Sequence, residues 1–232
     1  MAKNIYTDGT YFANNPTWDS EDSAWKATQI LRLINKNKLI PKTICEVGCG
    51  AGEILNQLSA RMPKGTSFCG YEISPQAFSL CQCKEKSDLK FYLKNLLEES
   101  DVFFDILMAI DVIEHVEDYF RFLRELKKYS KYKIFHIPLE LSVQTVLRSY
   151  PIAEARASVG HIHHFTKESA LAALVDTGYK VIDWSYTCGA TDLPARKWRT
   201  SLLKIPRRIC FSINKDLAVR ILGGWSLLVL TE

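Results

Sequence analysis

The sequence predicts one doubly wound α/β domain, a mostly parallel sheet with helices on both faces. Three observations carry the prediction. The run Thr43 to Leu55 reads as an apolar strand ending in an acid, a turn through Gly48, Gly50 and Gly52, and the opening of a helical pattern. Glycines there let backbone amides approach a ligand closely, and a turn at the carboxyl end of a first strand is where doubly wound sheets hold nucleotide-like molecules. Phe104 to Ile110 is a near-continuous apolar run, as a parallel strand covered on both faces requires. Strand-like and helix-like segments alternate along the chain and close with a strand pair.

Each element has its own signal. Glu21 to Lys38 reads as a helix, with Ala24, Ala27, Ile30, Leu31 and Ile34 at helical spacing and Ser20 or Asp19 as its cap. Pro41 separates it from the first strand. Residues 53–62 form the first core helix, Ser67 to Glu72 the second strand, and Ser74-Pro75 opens the next helix with Ser as cap and Pro in the first turn. Tyr119 to Tyr129 is helical, and Tyr132 to Ile137 is a strand ended by Pro138. Thr166 to Thr177 is a helix closed by Gly178. Tyr179 to Tyr186 and Trp225 to Leu230 are the last strands. Residues 1–38 are thus an N-terminal segment and helix, and 39–232 one domain. Segments 139–165 and 188–222 exceed what simple connections need and are expected on the substrate side.

A chain of 232 residues suits one sizeable domain, and 47% hydrophobic with 24% charged residues is an ordinary globular composition. No stretch of about twenty apolar residues exists to span a membrane, and the N-terminus lacks the apolar core of a secretion signal. Seven cysteines, several on expected core strands, read as reduced thiols of a cytoplasmic protein. Cys81 and Cys83 have no second pair to complete a zinc site. A net charge of +4 gives no nucleic-acid signal.

The turn reads E-x-G-x-G-x-G, not the G-x-G-x-x-G of a dinucleotide site, and it lacks the Lys-Ser/Thr of a triphosphate loop. Glu72, ending the second strand, can accept both hydroxyls of a ribose. The turn therefore suits a nucleoside without phosphates.

Glu46-Val47-Gly48-Cys49-Gly50-Ala51-Gly52 resembles the first motif of class I S-adenosylmethionine-dependent methyltransferases, and Phe104 to Val116, with its Glu114-His115 pair, resembles their fourth-strand motif. The resemblance runs from about residue 43 to 116 and implies a seven-stranded Rossmann-like fold. It implies S-adenosyl-L-methionine as cofactor and S-adenosylhomocysteine as product. Gly48, Cys49, Gly50 and Gly52 would face the methionine end, with Glu46 supporting the turn. Glu72 and Ile73 would meet the ribose, and Asn95 with Leu96 would border the adenine. Asn95 stands where many members carry Asp, and its carbonyl is still an acceptor. Asp111 and Val112 would floor the transferable methyl. In similar methyltransferases an N-terminal segment folds over the cofactor, a role open here to Trp18 and Trp25.

Methyl transfer asks for alignment and, for some acceptors, a base. Asp111, Glu114 and His115, at i, i+3 and i+4, would share one face if the following helix began there. His115 is then a candidate base. In Gly160-His161-Ile162-His163-His164, alternation puts His161 and His163 on one side, and His163 is the second catalytic candidate. His136 reads as a core residue. The preferred reading uses no metal. An alternative joins Asp111, Glu114, His115 and one histidine of 161–164 around a divalent cation such as manganese, as in metal-dependent small-RNA 2′-hydroxyl methyltransferases, which this set resembles.

The basic stretch 196–211, interleaved with apolar residues, can meet an anionic membrane or a phosphate-bearing acceptor, or simply pack beside the sheet. The expected acceptor is a small molecule with a hydroxyl or amine, a sugar or lipid-linked intermediate among the candidates. The C-terminal run Asp216 to Leu230 supports these last two by its similarity to the tails of methyltransferases of polysaccharide biosynthesis. A non-catalytic scaffold that binds the cofactor is the rival from another class.

Overall fold

In the computed structural model residues 5–6, 8–193 and 198–232 are described, residue 190 and residues 198–203 by backbone alone. Helices α1 (Thr10–Asn14) and α2 (Ser23–Lys36) precede β1 (Thr43–Val47), followed by α3 (Glu53–Ser59), β2 (Ser67–Glu72), α4 (Pro75–Cys81), β3 (Leu89–Leu93) and β4 (Phe104–Ile110). Next come α5 (Tyr119–Leu126), β5 (Ser130–Leu139), α6 (Val143–Arg148), α7 (Tyr150–Ser158) and α8 (Lys167–Asp176). The chain closes with β6 (Val181–Thr187), α9 (Gly189–Asp192), α10 (Trp198–Ile213), α11 (Lys215–Leu222) and β7 (Trp225–Thr231). The strands lie in the order β3-β2-β1-β4-β5-β7-β6, all parallel except β7, which runs antiparallel to both of its neighbours. This is the expected seven-stranded, mostly parallel sheet. From β1 the chain winds outward through β2 and β3, then returns to β4 on the other side. The crevice at the carboxyl ends of β1 and β4 is the switch point.

Alternation along the strands builds a core on each face of the sheet. Ile106 and Met108 of β4 join Ala27, Ile30 and Ile34 of α2 and Leu55 and Leu58 of α3 on one face. Leu107 and Ala109 join Leu123 and Leu126 of α5 and Leu174 of α8 on the other. Helix α4 starts as its residues dictate: Pro75 sits in the first turn and the Ser74 hydroxyl accepts the Ala77 N–H. Helix α8 is capped by Thr166, and Gly178 beyond its end has φ +86°.

Three local expectations are corrected. Pro138 does not end β5 but lies within it, opposite Ser226. The His136 carbonyl accepts the Asp111 N–H at 2.9 Å. Pro138, two residues on, faces the same way past the end of β4, where no ladder bond is lost. Helix α2 is capped by neither Ser20 nor Asp19, because Ser20–Asp22 form a 3₁₀ turn and the Asp22 carboxylate pairs with Lys26 at 3.0 Å. No helix begins at Asp111. Asp111 takes φ +54°, Ile113–His115 form one 3₁₀ turn, and α5 starts at Tyr119 under an Asp118 cap. All seven cysteines are free thiols. Among the described residues no helix is long and apolar enough to cross a membrane.

Candidate functional site

The glycine turn lies at the switch point, where β1 gives way to α3. Gly48, Gly50 and Gly52 all take positive φ, of 67°, 56° and 71°. Two of these positions are closed to side chains by space as well. A Cβ on Gly50 would lie 2.7 Å from Trp18 Cδ1, and one on Gly52 would lie 2.5 Å from Phe91 Cζ. Left-handed Gly50 turns its N–H onto Glu72 Oε2 at 2.8 Å, while Glu72 Oε1 accepts the N–H groups of Ile73 and Ser74, each at 2.8 Å. Burial raises the Glu72 carboxyl above its ordinary value against the pull of these amides.

The other residues expected around the cofactor contribute unequally. Glu46 is buried, its Oε2 has no hydrogen-bond partner among the described residues, and burial pushes its pKa well up against the opposing charge of Lys26. Cys49 points inward, with its Sγ close to Gly70, so it offers the site only backbone. Ile73 is 50% exposed and free to cover a ligand. Asn95 Oδ1 already accepts the Leu97 N–H at 3.1 Å, and the Leu96 side chain is fully buried. Val112 packs its methyls against Gly48.

Asp111 is the largest departure from the sequence reading. Its carboxylate receives Lys26 Nζ at 2.8 Å and His136 Nδ1 at 2.6 Å, and His136 Nε2 lies 2.8 Å from Thr187 Oγ1. Burial alone would raise the Asp111 pKa, but His136 and Lys26 hold it far below the usual range. Asp111 is thus a fixed anion. It does not join Glu114 and His115 on a shared face, because its left-handed backbone and the 3₁₀ turn replace the helix that face requires. His136 is buried, as expected, yet it belongs to this polar chain.

Glu114, His115 and His161 do converge, with one donor atom of each within 4.8 Å of the others. Glu114 is fully buried and neither carboxyl oxygen has a hydrogen-bond partner among the described residues. Burial, helped by the charges of Asp111 and Glu140, pushes its pKa well up, so the free protein holds it protonated. Burial and the neighbouring His161 lower His115 to a pKa of about 4. The Tyr6 hydroxyl donates to Val159 O at 2.8 Å and lies 2.6 Å from His115 Nδ1. With that hydroxyl proton committed, His115 carries its own proton on Nδ1, and Nε2 presents a lone pair 3.9 Å from Glu114 Oε1. His163 is turned elsewhere: its Nε2 faces the carbonyls of Val116 and Glu117 at 3.0 and 3.1 Å, and its ring meets Tyr119. Of the two catalytic candidates named from the sequence, His115 lies in this group and His163 does not; the histidine of 161–164 that meets His115 is His161.

Over the turn lies the N-terminal segment. Trp18 covers Gly50 and packs on Tyr11 at 4.5 Å between ring centres. Trp25 instead donates to Asp192 at 3.2 Å. In the basic stretch, Arg207 and Arg208 donate to the carbonyls of Gly223 and Thr191, so these two charges serve internal contacts. Arg196 and Lys197 lie outside the described residues, and Trp198 and Arg199 are described by backbone alone.

A family model described as "Methyltransferase domain" matches residues 23–183. The chain belongs to this family, the class I S-adenosylmethionine-dependent methyltransferases. This methyltransferase is 31% identical over 97 residues to a protein of Rickettsia conorii named ubiquinone biosynthesis O-methyltransferase, a match covering 41% of this chain and 33% of that protein. The same-named protein of Rickettsia felis is also 31% identical over 97 residues, with 39% of its length covered. The chain thus spans well under half of these relatives. In fold the methyltransferase is similar to the N-methyltransferase NodS of Bradyrhizobium japonicum WM9 in complex with S-adenosyl-l-homocysteine (TM-score 0.60, 14% identity, 97% of this chain and 98% of that one). It is likewise similar to magnesium protoporphyrin IX methyltransferase of Synechocystis PCC 6803 (TM-score 0.60, 14% identity, 90% and 82% covered).

The cofactor of this family is S-adenosyl-L-methionine, and the residues present fit it. Glycine amides without side chains line the turn, Glu72 ends β2, and the orphaned Glu46 oxygen is a buried acceptor for a cationic methionine end.

Proposed function

We propose that this methyltransferase methylates a hydroxyl oxygen of a small-molecule acceptor seated between the glycine turn and the Glu114–His115–His161 group. The observation that carries the reading is a neutral imidazole whose lone pair faces a buried, unpartnered carboxyl just beyond β4. A neutral amine attacks an electrophilic methyl without first losing a proton, whereas a hydroxyl gains from a base worth about 10²–10⁴-fold. Protonated in the free protein, Glu114 can donate to the acceptor, and the lone pairs of His115 and His161 can receive its proton. The bound cofactor supplies a methyl group on a sulfonium. The O-methyltransferase name of the Rickettsia proteins agrees with an oxygen acceptor.

Glu72 has four lone-pair sites and spends three of them on amides, so it meets the two ribose hydroxyls by surrendering the Gly50 bond. Asp111, neutralised by Lys26 and His136, fixes the floor without competing for the sulfonium charge.

Tritiated-methyl transfer to a panel of phenols, sugar hydroxyls, lipid-linked sugars, amines and RNA tests this reading. Labelling of hydroxyl members is expected, with His115→Ala lowering turnover about 10²-fold and leaving S-adenosylhomocysteine affinity intact. Labelling confined to amines or to RNA would overturn it.

The N-terminal segment is part of the proposal. The segment ahead of α2 acts as a lid, with Trp18 closing over Gly50. Removing residues 1–20 is expected to weaken S-adenosylhomocysteine binding about tenfold, or roughly 1.4 kcal/mol. Unchanged affinity by calorimetry contradicts the lid.

A further inference from the structure

Glu140, the residue that follows β5, belongs to none of the sequence motifs. Its carboxylate bridges two rings: Oε1 lies 2.7 Å from His161 Nδ1 and Oε2 lies 2.5 Å from His164 Nδ1. The His161 ring in turn meets the His115 ring edge-on, 4.8 Å between centres. The backbone of this segment is secured independently. The Glu114 carbonyl accepts the N–H groups of Ile162 and His163 at 2.9 and 3.1 Å, and the Phe165 carbonyl accepts that of Leu141 at 3.1 Å. Glu140 is therefore not needed to hold the segment in place. What its carboxylate controls is the two rings.

We propose that Glu140 is the positioning residue of the acceptor site: its carboxylate fixes His161 with the proton on Nδ1, so that Nε2 receives the acceptor's hydroxyl proton, and His164 anchors the carboxylate from its other side. The inference rests on the hydroxyl-acceptor reading above. An ionised carboxylate has no proton to donate, so each ring that meets it must present an N–H. Burial pushes the Glu140 carboxyl up, and the two imidazoles more than offset that, leaving it below its ordinary value and ionised at neutral pH. With the Nδ1 proton turned to Glu140, Nε2 is the nitrogen left facing the site, and it makes no hydrogen bond among the described residues. Around it stand neutral His115 and protonated Glu114, with Tyr6 behind His115 and the Asp111–Lys26 pair beyond. In the transfer the acceptor's O–H bond breaks and its proton passes to His161 Nε2. The oxygen's electron pair forms the bond to the methyl carbon as the carbon–sulfur bond breaks, and that second pair remains on sulfur as a neutral thioether.

The spectroscopic signature is specific. The full-length protein, labelled with nitrogen-15 histidine and saturated with S-adenosylhomocysteine, should show His161 and His164 protonated on Nδ1 in long-range proton–nitrogen correlations at pH 7.5. In Glu140→Gln the amide offers one acceptor and one donor, so at least one of the two rings must move its proton to Nε2. The same variant should lower kcat about 10²-fold on a hydroxyl acceptor of the panel, with KM and S-adenosylhomocysteine affinity within threefold, and Glu140→Ala should match the loss. Wild-type His161 protonated on Nε2, unmoved tautomers in Glu140→Gln, or unchanged kcat in both variants would each overturn the proposal. Should no hydroxyl acceptor be methylated, the broader reading fails, and the spectra still decide what Glu140 does to His161.

Discussion

Gly50→Val is expected to reduce S-adenosylhomocysteine affinity at least 100-fold in calorimetric titration, the largest single effect in this molecule. Gly50 holds φ +56°, a conformation costing a residue with a β-carbon about 1–2 kcal/mol, and more with a β-branched side chain. The same backbone holds the Gly50 N–H on Glu72 in the free protein and releases it toward the cofactor, so moving the chain out of strain removes an amide expected at the site. Crowding adds to this, because the new Cβ would lie 2.7 Å from the Trp18 ring. Two comparisons separate the causes. Gly65 has φ +98° with nothing within 4 Å of its would-be Cβ, so Gly65→Ala should cost some stability and leave binding alone. Adding Trp18→Ala to Gly50→Val removes the crowding but not the strain, and should restore little affinity. Full rescue there would mean that the turn's conformation is not what binds.

Glu114→Gln should change stability in a direction opposite to that of most buried-carboxylate replacements. A carboxyl raised by burial stays protonated in the fold while the unfolded chain ionises it above about pH 4.3. Wild-type stability therefore falls as pH climbs from that value toward the folded pKa, by about 1.4 kcal/mol per pH unit for this group. Glutamine has nearly the same shape and no charge to lose. Urea unfolding should find the two proteins similarly dependent on pH below 4 and the glutamine variant increasingly favoured from pH 5 to 7.5. Parallel pH profiles across that window would show that Glu114 is ionised in the fold and paired with something. Methyl transfer should still fall in the variant if Glu114 serves the acceptor.

The parts legible in the sequence are those whose cause lies within a few residues. The glycine turn, the apolar alternation of Phe104 to Ile110, the Ser74-Pro75 start of α4 and the Gly178 stop of α8 are local, and each appears where its neighbours dictate. Glu72 was readable because a strand end at a switch point is itself a local pattern. The helix-face grouping of Asp111, Glu114 and His115 failed for the same reason. Spacing fixes a face only if the helix forms, and a left-handed residue followed by a 3₁₀ turn replaced it.

What the sequence by itself determined is the sheet, its winding and a turn suited to a nucleoside without phosphates, because periodicity and turn chemistry act along the chain. Only the tertiary structure decided which charges meet. It brought Lys26 and His136 to Asp111, His161 to Glu114 and His115, and Glu140 to two histidines. Those pairings follow from strand order. The sheet sets β4 beside β5 and brings their carboxyl ends to one rim, where α2 and the segment before α8 cross. Side chains remote in sequence share one low-dielectric space there, and no local pattern encodes that proximity.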